Sequence, residues 1–260
     1  MTGILKEIVE YKREFVNKSK LTLPLKDIEE LAIESEGPRD FTEALIGKEC
    51  ALIAEIKTAS PSKGIIRDNV AIEDVARIYS ENGAACISVL TDEKYFMGTL
   101  SRLEKIRKTV YNPILRKDFI IDVYQIYESR FAGADSILLI AACLGDSQLL
   151  DFIEVASLLD LDCLVEVHDE IEMNRISKLN AKLIGINNRD LQTFQTDISV
   201  TGKLAKLAPP GAILVSESGI NNVGDVKSVH SMGANAVLVG ESLMRAHDIG
   251  EKVREFTNID

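Results

Sequence analysis

The chain has 260 residues, 46% of them apolar and 27% charged. That is an ordinary globular composition, and the length holds one large α/β domain or two smaller ones. A formal net charge of −11 argues against nucleic acid as a partner. It also repels anionic ligands, so an anion site needs its own cluster of cations and backbone N–H groups; Lys57, Lys63, Lys117 and Arg189 are the candidates. No run is long and apolar enough to span a membrane. In chain order, residues 1–20 read as a helix of mixed charge rather than a signal peptide, and Ile4, Ile8, Tyr11 and Phe15 predict its apolar face. A second helical segment covers 25–34. Asp40 followed by Glu43 has the form of a capping box opening a third helix, which ends near Ile46 with Gly47 as its stop. Residues 1–47 are thus expected to form an N-terminal helical extension, too short and charged to bury a core alone. A lid over a barrel mouth and a plug beneath it fit this pattern equally.

From residue 48 onward, short apolar runs recur at 51–56, 85–90, 113–115, 136–140, 163–167, 183–186, 212–215 and 236–239. Amphipathic segments suited to helices separate them, at 72–82, 99–108, 123–132, 147–159, 170–178, 200–207 and 223–232. Asn82-Gly83-Ala84, Ala132-Gly133-Ala134 and Met232-Gly233-Ala234 mark helix-to-strand turns. Alternation of this kind predicts a parallel sheet, and eight units without a linker predict one α/β domain, a single (β/α)₈ TIM barrel over 48–260. A doubly wound open sheet satisfies the same alternation, but it would usually carry a glycine-rich fingerprint after its first strand, which is absent. The cysteines, Cys50, Cys86, Cys143 and Cys163, lie in or beside apolar runs without C-x-x-C spacing. They read as reduced core residues of a cytoplasmic protein, with no role in a disulfide or a metal site.

Chemistry in such a barrel sits at the carboxyl ends of the strands. The first strand supplies Glu55 and Lys57, two apart and so on one face, followed by Ser60-Pro61-Ser62-Lys63-Gly64. The third supplies Lys117, in register with Leu115, and the fifth supplies Glu166, in register with Leu164. The sixth supplies Asn187 and Arg189, the seventh Glu217, Ser218 and Gly219, and the eighth Gly240 and Glu241. Taken singly, each has an ordinary reading as a snorkelling lysine, a satisfied carboxylate, a turn former or, for Arg189, an ion pair with Asp190. Together, lysines and carboxylates converging on one mouth can hold their pKa values apart and act as separate acid and base. Ser218-Gly219 and Gly240-Glu241 put small residues where backbone N–H groups can face an anion, with a short helix starting near Glu241 behind them. Glu241 has the wrong charge for a phosphate, so its side chain must turn away. His168 reads as a local hydrogen-bonding residue, and His230 and His247 as surface residues of helical segments.

These motifs resemble the indole-3-glycerol-phosphate synthase family of tryptophan biosynthesis, from about Asp40 to Arg245. The likeness rests on Glu55-Ile-Lys57-x-x-Ser60-Pro61-Ser62, Leu115-Arg116-Lys117-Asp118-Phe119, Leu164-Val-Glu166-Val-His168, Gly185-Ile-Asn187-Asn188-Arg189, Ser216-Glu217-Ser218-Gly219-Ile220 and Gly240-Glu241-Ser242-Leu243-Met244. The resemblance implies a lyase that closes 1-(2-carboxyphenylamino)-1-deoxyribulose 5-phosphate to indole-3-glycerol phosphate with loss of CO₂ and water, without metal or cofactor. By motif, Lys117 looks like the general acid, and Lys57 like the group that binds the substrate carboxylate or protonates the departing hydroxyl. Glu55, Glu166 and Glu217 look like the carboxylates that take up protons or position hydroxyls and lysines. Asn187 and Ser218 look like substrate hydrogen-bonding groups, and Arg189 is a further binding residue. Ser60, Gly219, Gly240 and the Glu241 backbone look like the phosphate clamp, and Phe96 and Leu138 like walls of an aromatic pocket. The implied partner is a small anionic sugar phosphate, with no nucleic acid or membrane; a monomer and association with other tryptophan-pathway enzymes are both compatible. Thr58 departs from the family, which usually has a basic residue there, and Lys63 is the expected electrostatic substitute. A sugar-phosphate isomerase and a non-catalytic barrel binding an aromatic sugar phosphate are the rival readings.

Overall fold

The computed structural model describes residues 3–61, 63–68, 70–191 and 193–258. Eight parallel strands close into a barrel: β1 (Ala51–Ile56), β2 (Cys86–Leu90), β3 (Ile114–Lys117), β4 (Ser136–Ile140), β5 (Asp162–Val167), β6 (Leu183–Asn187), β7 (Ile213–Glu217) and β8 (Ala236–Val239). Each strand pairs with the next, and β8 pairs back onto β1 with Ala51 opposite Ala236. The strands are near-continuous apolar runs because both of their faces are covered. Outward residues such as Leu52, Ala54 and Ile56 pack with Ile72, Val75 and Tyr79 of helix α3 (Ile72–Glu81). Inward residues, among them Ile53, Leu115, Leu164 and Val215, fill the barrel. Among the described residues no helix is long and apolar enough to cross a membrane.

Three strands run further than their apolar stretches: β3 reaches Lys117, β6 Asn187 and β7 Glu217. The ladder continues because main-chain pairing is indifferent to side-chain polarity; Leu90 is registered with Lys117, and Asn187 with Glu217. This carries polar side chains inward on rigid strand ends instead of on loops. Three of the connecting helices begin at side-chain caps, with Asp122 ahead of α6 (Val123–Phe131), Asp169 ahead of α8 (Glu170–Lys178) and a reciprocal Asn222–Asp225 box ahead of α10 (Val223–Ser231).

The N-terminal segment touches both ends of the barrel. Helix α1 (Ile4–Thr22) lies at the mouth, where Ile4, Leu5 and Ile8 line a cavity. Its buried side chains are Leu5, Ile8, Val9, Lys12 and Val16, rotated from the expected Ile4, Ile8, Tyr11 and Phe15. The reason is Lys12, whose Nζ lies 2.9 Å from Asp92 Oδ2 and 2.7 Å from Asp118 Oδ1. Helix α2 (Leu25–Glu34) follows, and its Ile28 packs with Val16 and Tyr124. The helix expected at 40–46 is only one 3₁₀ turn, Glu43–Leu45. Asp40 Oδ1 does accept from Glu43 N, at 2.8 Å, but Phe41 and Leu45 are drawn into the barrel interior and Thr42 N is held by Asp162 Oδ2 at 2.9 Å. Those anchors at the bottom of the barrel stop a regular helix from continuing. His247 lies in the turn between α11 (Glu241–Arg245) and α12 (Ile249–Thr257), not in a helix.

Candidate active site

The strand ends surround a cavity of about 570 Å³, a size suited to a small organic ligand. The side chains that line it include Glu55, Lys57, Ser60, Phe96, Lys117, Leu138, Glu166, Asn187, Arg189, Glu217, Ser218 and Glu241, together with Gly219 and Gly240. The structure therefore brings together all of the residues singled out from the strand-end pattern. Ser62, of the first loop, lies outside the described residues.

Lys117 is the hub. Its Nζ is 3.2 Å from Glu166 Oε2 and is also paired with Glu217 Oε2. Burial alone would strip its proton, but Glu217, Glu166 and Glu55 outweigh burial and hold the ammonium well above the usual lysine range. The two glutamates diverge. Burial pushes Glu166 upward, but Lys117 and the His168 imidazolium pull it well below the ordinary carboxylate range. Glu217 is pushed up to about 7, because burial and the charges of Glu166 and Glu55 exceed the help from Lys117. Its Oε1 is buried without a hydrogen-bond partner among the described residues, which is where a proton can reside. Gly185 makes room for it, since a Cβ there would overlap Glu217 Oε1. One residue type in two environments thus yields an ionised base and a carboxyl that titrates near neutrality.

Lys57 Nζ lies 3.5 Å from Glu55 Oε1 and 5.6 Å from the centre of the Phe96 ring. Phe96 and Phe119 stand 6.2 Å apart between ring centres and, with Leu138 and Ile140, give this side of the mouth an apolar wall. Gly240 lets the backbone pass Glu55, whose Oε1 would be 2.5 Å from a Cβ at that position.

On the opposite side, Ser218 and Gly219 both adopt positive φ, 67° and 84°. A non-glycine residue in that region costs about 1–3 kcal/mol and persists only where its surroundings enforce it. Asn188 does so here: its Nδ2 donates to Ser216 Oγ at 2.9 Å and to Ser218 O at 3.0 Å, and its Oδ1 accepts from Thr201 Oγ1 at 2.8 Å. The Glu241 carboxylate is engaged by Arg245 Nε at 3.0 Å and by Lys63 Nζ at 3.9 Å. Arg189 N donates to Asn187 Oδ1 at 3.0 Å, and its guanidinium donates to Phe194 O at 3.1 Å. Thr58 meets a different cation from the expected Lys63. Arg102, from α5 (Leu100–Thr109), donates from Nη1 to Thr58 Oγ1 at 3.1 Å.

Five further features at or behind this mouth escaped the strand-end pattern. Phe119 was signalled only by its place after Lys117-Asp118. The α1 wall and the Lys12 contacts join residues far apart in sequence. Asn188 was signalled only by its place beside Asn187, and His168 looked like a local hydrogen bonder.

A closed barrel of eight parallel strands, with paired acidic and basic groups on its carboxyl-end mouth, defines an enzyme of the (β/α)₈ class. A family profile described as "Indole-3-glycerol phosphate synthase" matches residues 5–256. Proteins named indole-3-glycerol phosphate synthase are similar along nearly their whole length. One from Dehalococcoides mccartyi (strain CBDB1) is 47% identical over 256 residues, covering 97% of this chain and 99% of its own. Another, from Alkaliphilus metalliredigens (strain QYMF), is 46% identical over 253 residues and 97% of each chain. Solved structures share the fold at low identity. They include 3-hexulose-6-phosphate synthase from Salmonella typhimurium (TM-score 0.66, 14% identity, 80% of this chain and 97% of that one). The tryptophan synthase A-subunit from Pyrococcus furiosus gives a TM-score of 0.60 at 13% identity, over 80% of this chain and 98% of that one. The chain belongs to the indole-3-glycerol phosphate synthase family.

Proposed function

We propose that this mouth closes 1-(2-carboxyphenylamino)-1-deoxyribulose 5-phosphate to indole-3-glycerol phosphate, releasing CO₂ and water. The observation that carries the reading is the Lys117 ammonium clamped between Glu166 and Glu217 on the cavity wall. The phosphate rests against the backbone N–H groups of the Ser218-Gly219 and Gly240-Glu241 turns and the Ser60 hydroxyl. The aromatic ring lies against Phe96 and Leu138. Lys57 holds the substrate carboxylate, and Asn187, Ser218 and Arg189 bind polar groups of the sugar phosphate.

As the aromatic carbon bonds to the carbonyl carbon, Lys117 gives its proton to the carbonyl oxygen, which becomes a hydroxyl. The bond to the carboxylate then breaks, and its electrons restore the aromatic ring. The hydroxyl leaves as water with a proton from a lysine, while Glu166 takes the proton from the adjacent carbon and the ring double bond forms. Glu217, titrating near neutrality, returns a proton to Lys117. Glu55 positions Lys57. Burial makes these groups act in low dielectric, where charge developing on the substrate is felt strongly.

The chain has no tryptophan, so indole product fluorescence rises over a weak background. The expected result is a signal in the wild type that is lost in Lys117→Ala while ligand binding persists. Near-normal turnover in that variant would overturn the role of Lys117. Binding without turnover in the wild type would instead support the non-catalytic barrel. The extension and the barrel act as one domain in this reading, because α1 walls the same cavity. The four cysteines are free thiols, which fits a cytoplasmic enzyme. A monomer contains every residue this scheme uses.

A further inference from the structure

We propose that His168, braced by Glu172, is a positioning residue that keeps Glu166 ionised and aimed at Lys117. The proposal rests on the role of Glu166 given above and extends it to the imidazole behind that carboxylate. His168 leaves β5 two residues after Glu166, and its imidazole stands between two carboxylates. Nε2 is 3.2 Å from Glu166 Oε1, and Nδ1 is 3.1 Å from Glu172 Oε2. Glu166 therefore has one oxygen on Lys117 and the other on His168. A carboxylate held at both oxygens cannot swing away from the substrate as it takes a proton.

The simplest alternative is that Glu172 merely caps a helix. It does cap: Asp169 Oδ1 accepts from Glu172 N at 2.8 Å, and Glu172 Oε2 accepts from His168 N at 2.8 Å. Those main-chain bonds would exist with any side chain at 168. They do not account for a ring whose two nitrogens each face an acid. Burial disfavours the imidazolium, but the interactions with the Glu166 and Glu172 carboxylates exceed that effect and push His168 up to about 10. The ring thus stays doubly protonated through the neutral range, with Nδ1 hydrogen-bonded to Glu172 and Nε2 in ion-pair contact with Glu166. The other titratable groups facing this pair are Lys117 from β3, Glu217 from β7 and the Cys143 thiol beyond β4. Burial pushes the thiol up to about 12, so it is neutral over the same range.

Without the imidazolium, Glu166 is left with Lys117 alone and protonates at a higher pH. The test measures kcat, KM and the acid limb of the pH–rate profile for H168A, H168Q and E172Q, beside E166Q. H168A is expected to lower kcat on the order of 10²-fold with KM almost unchanged, the scale of a misplaced catalytic group. Its acid limb is expected to move to higher pH. H168Q retains a donor near the Nε2 position and is expected to recover part of kcat but keep the shifted limb. E172Q preserves the main-chain cap and is expected to shift the limb in the same direction, so the test survives if H168A fails to fold. An inactive E166Q alongside wild-type kcat and acid limb in H168Q and E172Q would overturn the inference. Near-normal turnover in E166Q would overturn the role of Glu166 itself, and the inference with it.

Discussion

Lys12→Met removes one charge and preserves most of the side chain's length. Lys12 is 2% exposed and ion-pairs with both Asp92 and Asp118, themselves almost wholly buried. The substitution strands the two carboxylates unequally. Asp118 keeps Arg116, at 3.2 Å, and the Thr91 hydroxyl, at 2.7 Å. Among the described residues, the Asp92 carboxylate keeps its cap on Tyr95 N, at 2.7 Å. Removing one partner of a buried pair costs about 3–5 kcal/mol; the surviving partners of Asp118 put the expected cost near the lower end. The helix relieves that cost by lifting and admitting water to the carboxylates, so the loss is local rather than global. At about 1.4 kcal/mol per decade, amide exchange protection in α1 is expected to fall on the order of 10²-fold while the barrel strands are unaffected. Because Ile4, Leu5 and Ile8 line the cavity, KM is expected to rise with kcat less affected. Charge-neutralising Asp92→Asn in the same chain is expected to restore part of both. Wild-type α1 exchange and wild-type KM in Lys12→Met would refute this account. Burial raises Asp118, but Lys12 and Arg116 exceed it and hold the carboxyl well below its usual range. Its contribution is therefore present above the unfolded value of about 4 and is lost as pH falls through the folded one. Burial lowers Lys12, but Asp118 and Asp92 exceed it and the net shift is upward. That contribution is complete below the ordinary lysine value and is lost as pH rises through the folded one.

Glu217→Gln is expected to abolish an inflection of kcat near pH 7, the value to which burial pushes this carboxyl; an inflection that persists would belong to another group. The folded protein holds that proton longer than the unfolded chain does. Wild-type stability should therefore fall as pH rises between the ordinary glutamate value of about 4.3 and about 7, and the variant should lose this slope in denaturant titrations. Gly240→Ala is expected to push Glu55 aside and break its pairing with Lys57, lowering kcat/KM on the order of 10²-fold with little change in melting temperature. Unchanged kcat/KM would show that the Glu55 position is not critical.

The barrel was legible along the chain because its signals are local. Apolar runs separated by amphipathic segments report a parallel strand and its covering helix within each unit. The parity of a strand let Lys117 be read from Leu115, and Glu166 from Leu164, as inward groups at one mouth. The N-terminal segment was legible only as helix. Its apolar residues at 4, 8, 11 and 15 predict one face, but the buried face includes a lysine. Burying an ammonium is favourable only where two carboxylates meet it, and those come from beyond β2 and β3. The third helix failed for a related reason: Phe41 and Leu45 gain more in the barrel than a capped helix offers.

At the mouth, composition and spacing determined which residue types converge, since each strand end delivers its side chains independently. Tertiary structure decided what each one is. Glu166 and Glu217 are the same amino acid on equivalent strand ends, yet one is held ionised and the other titrates near neutrality. Their difference comes from His168, Lys117 and Glu55 at the same point in space. The left-handed turn at Ser218 likewise depends on Asn188 reaching across from β6. Periodicity records which way a side chain faces; burial and the charges it meets there are set by residues from other strands, so only the closed barrel could assign them.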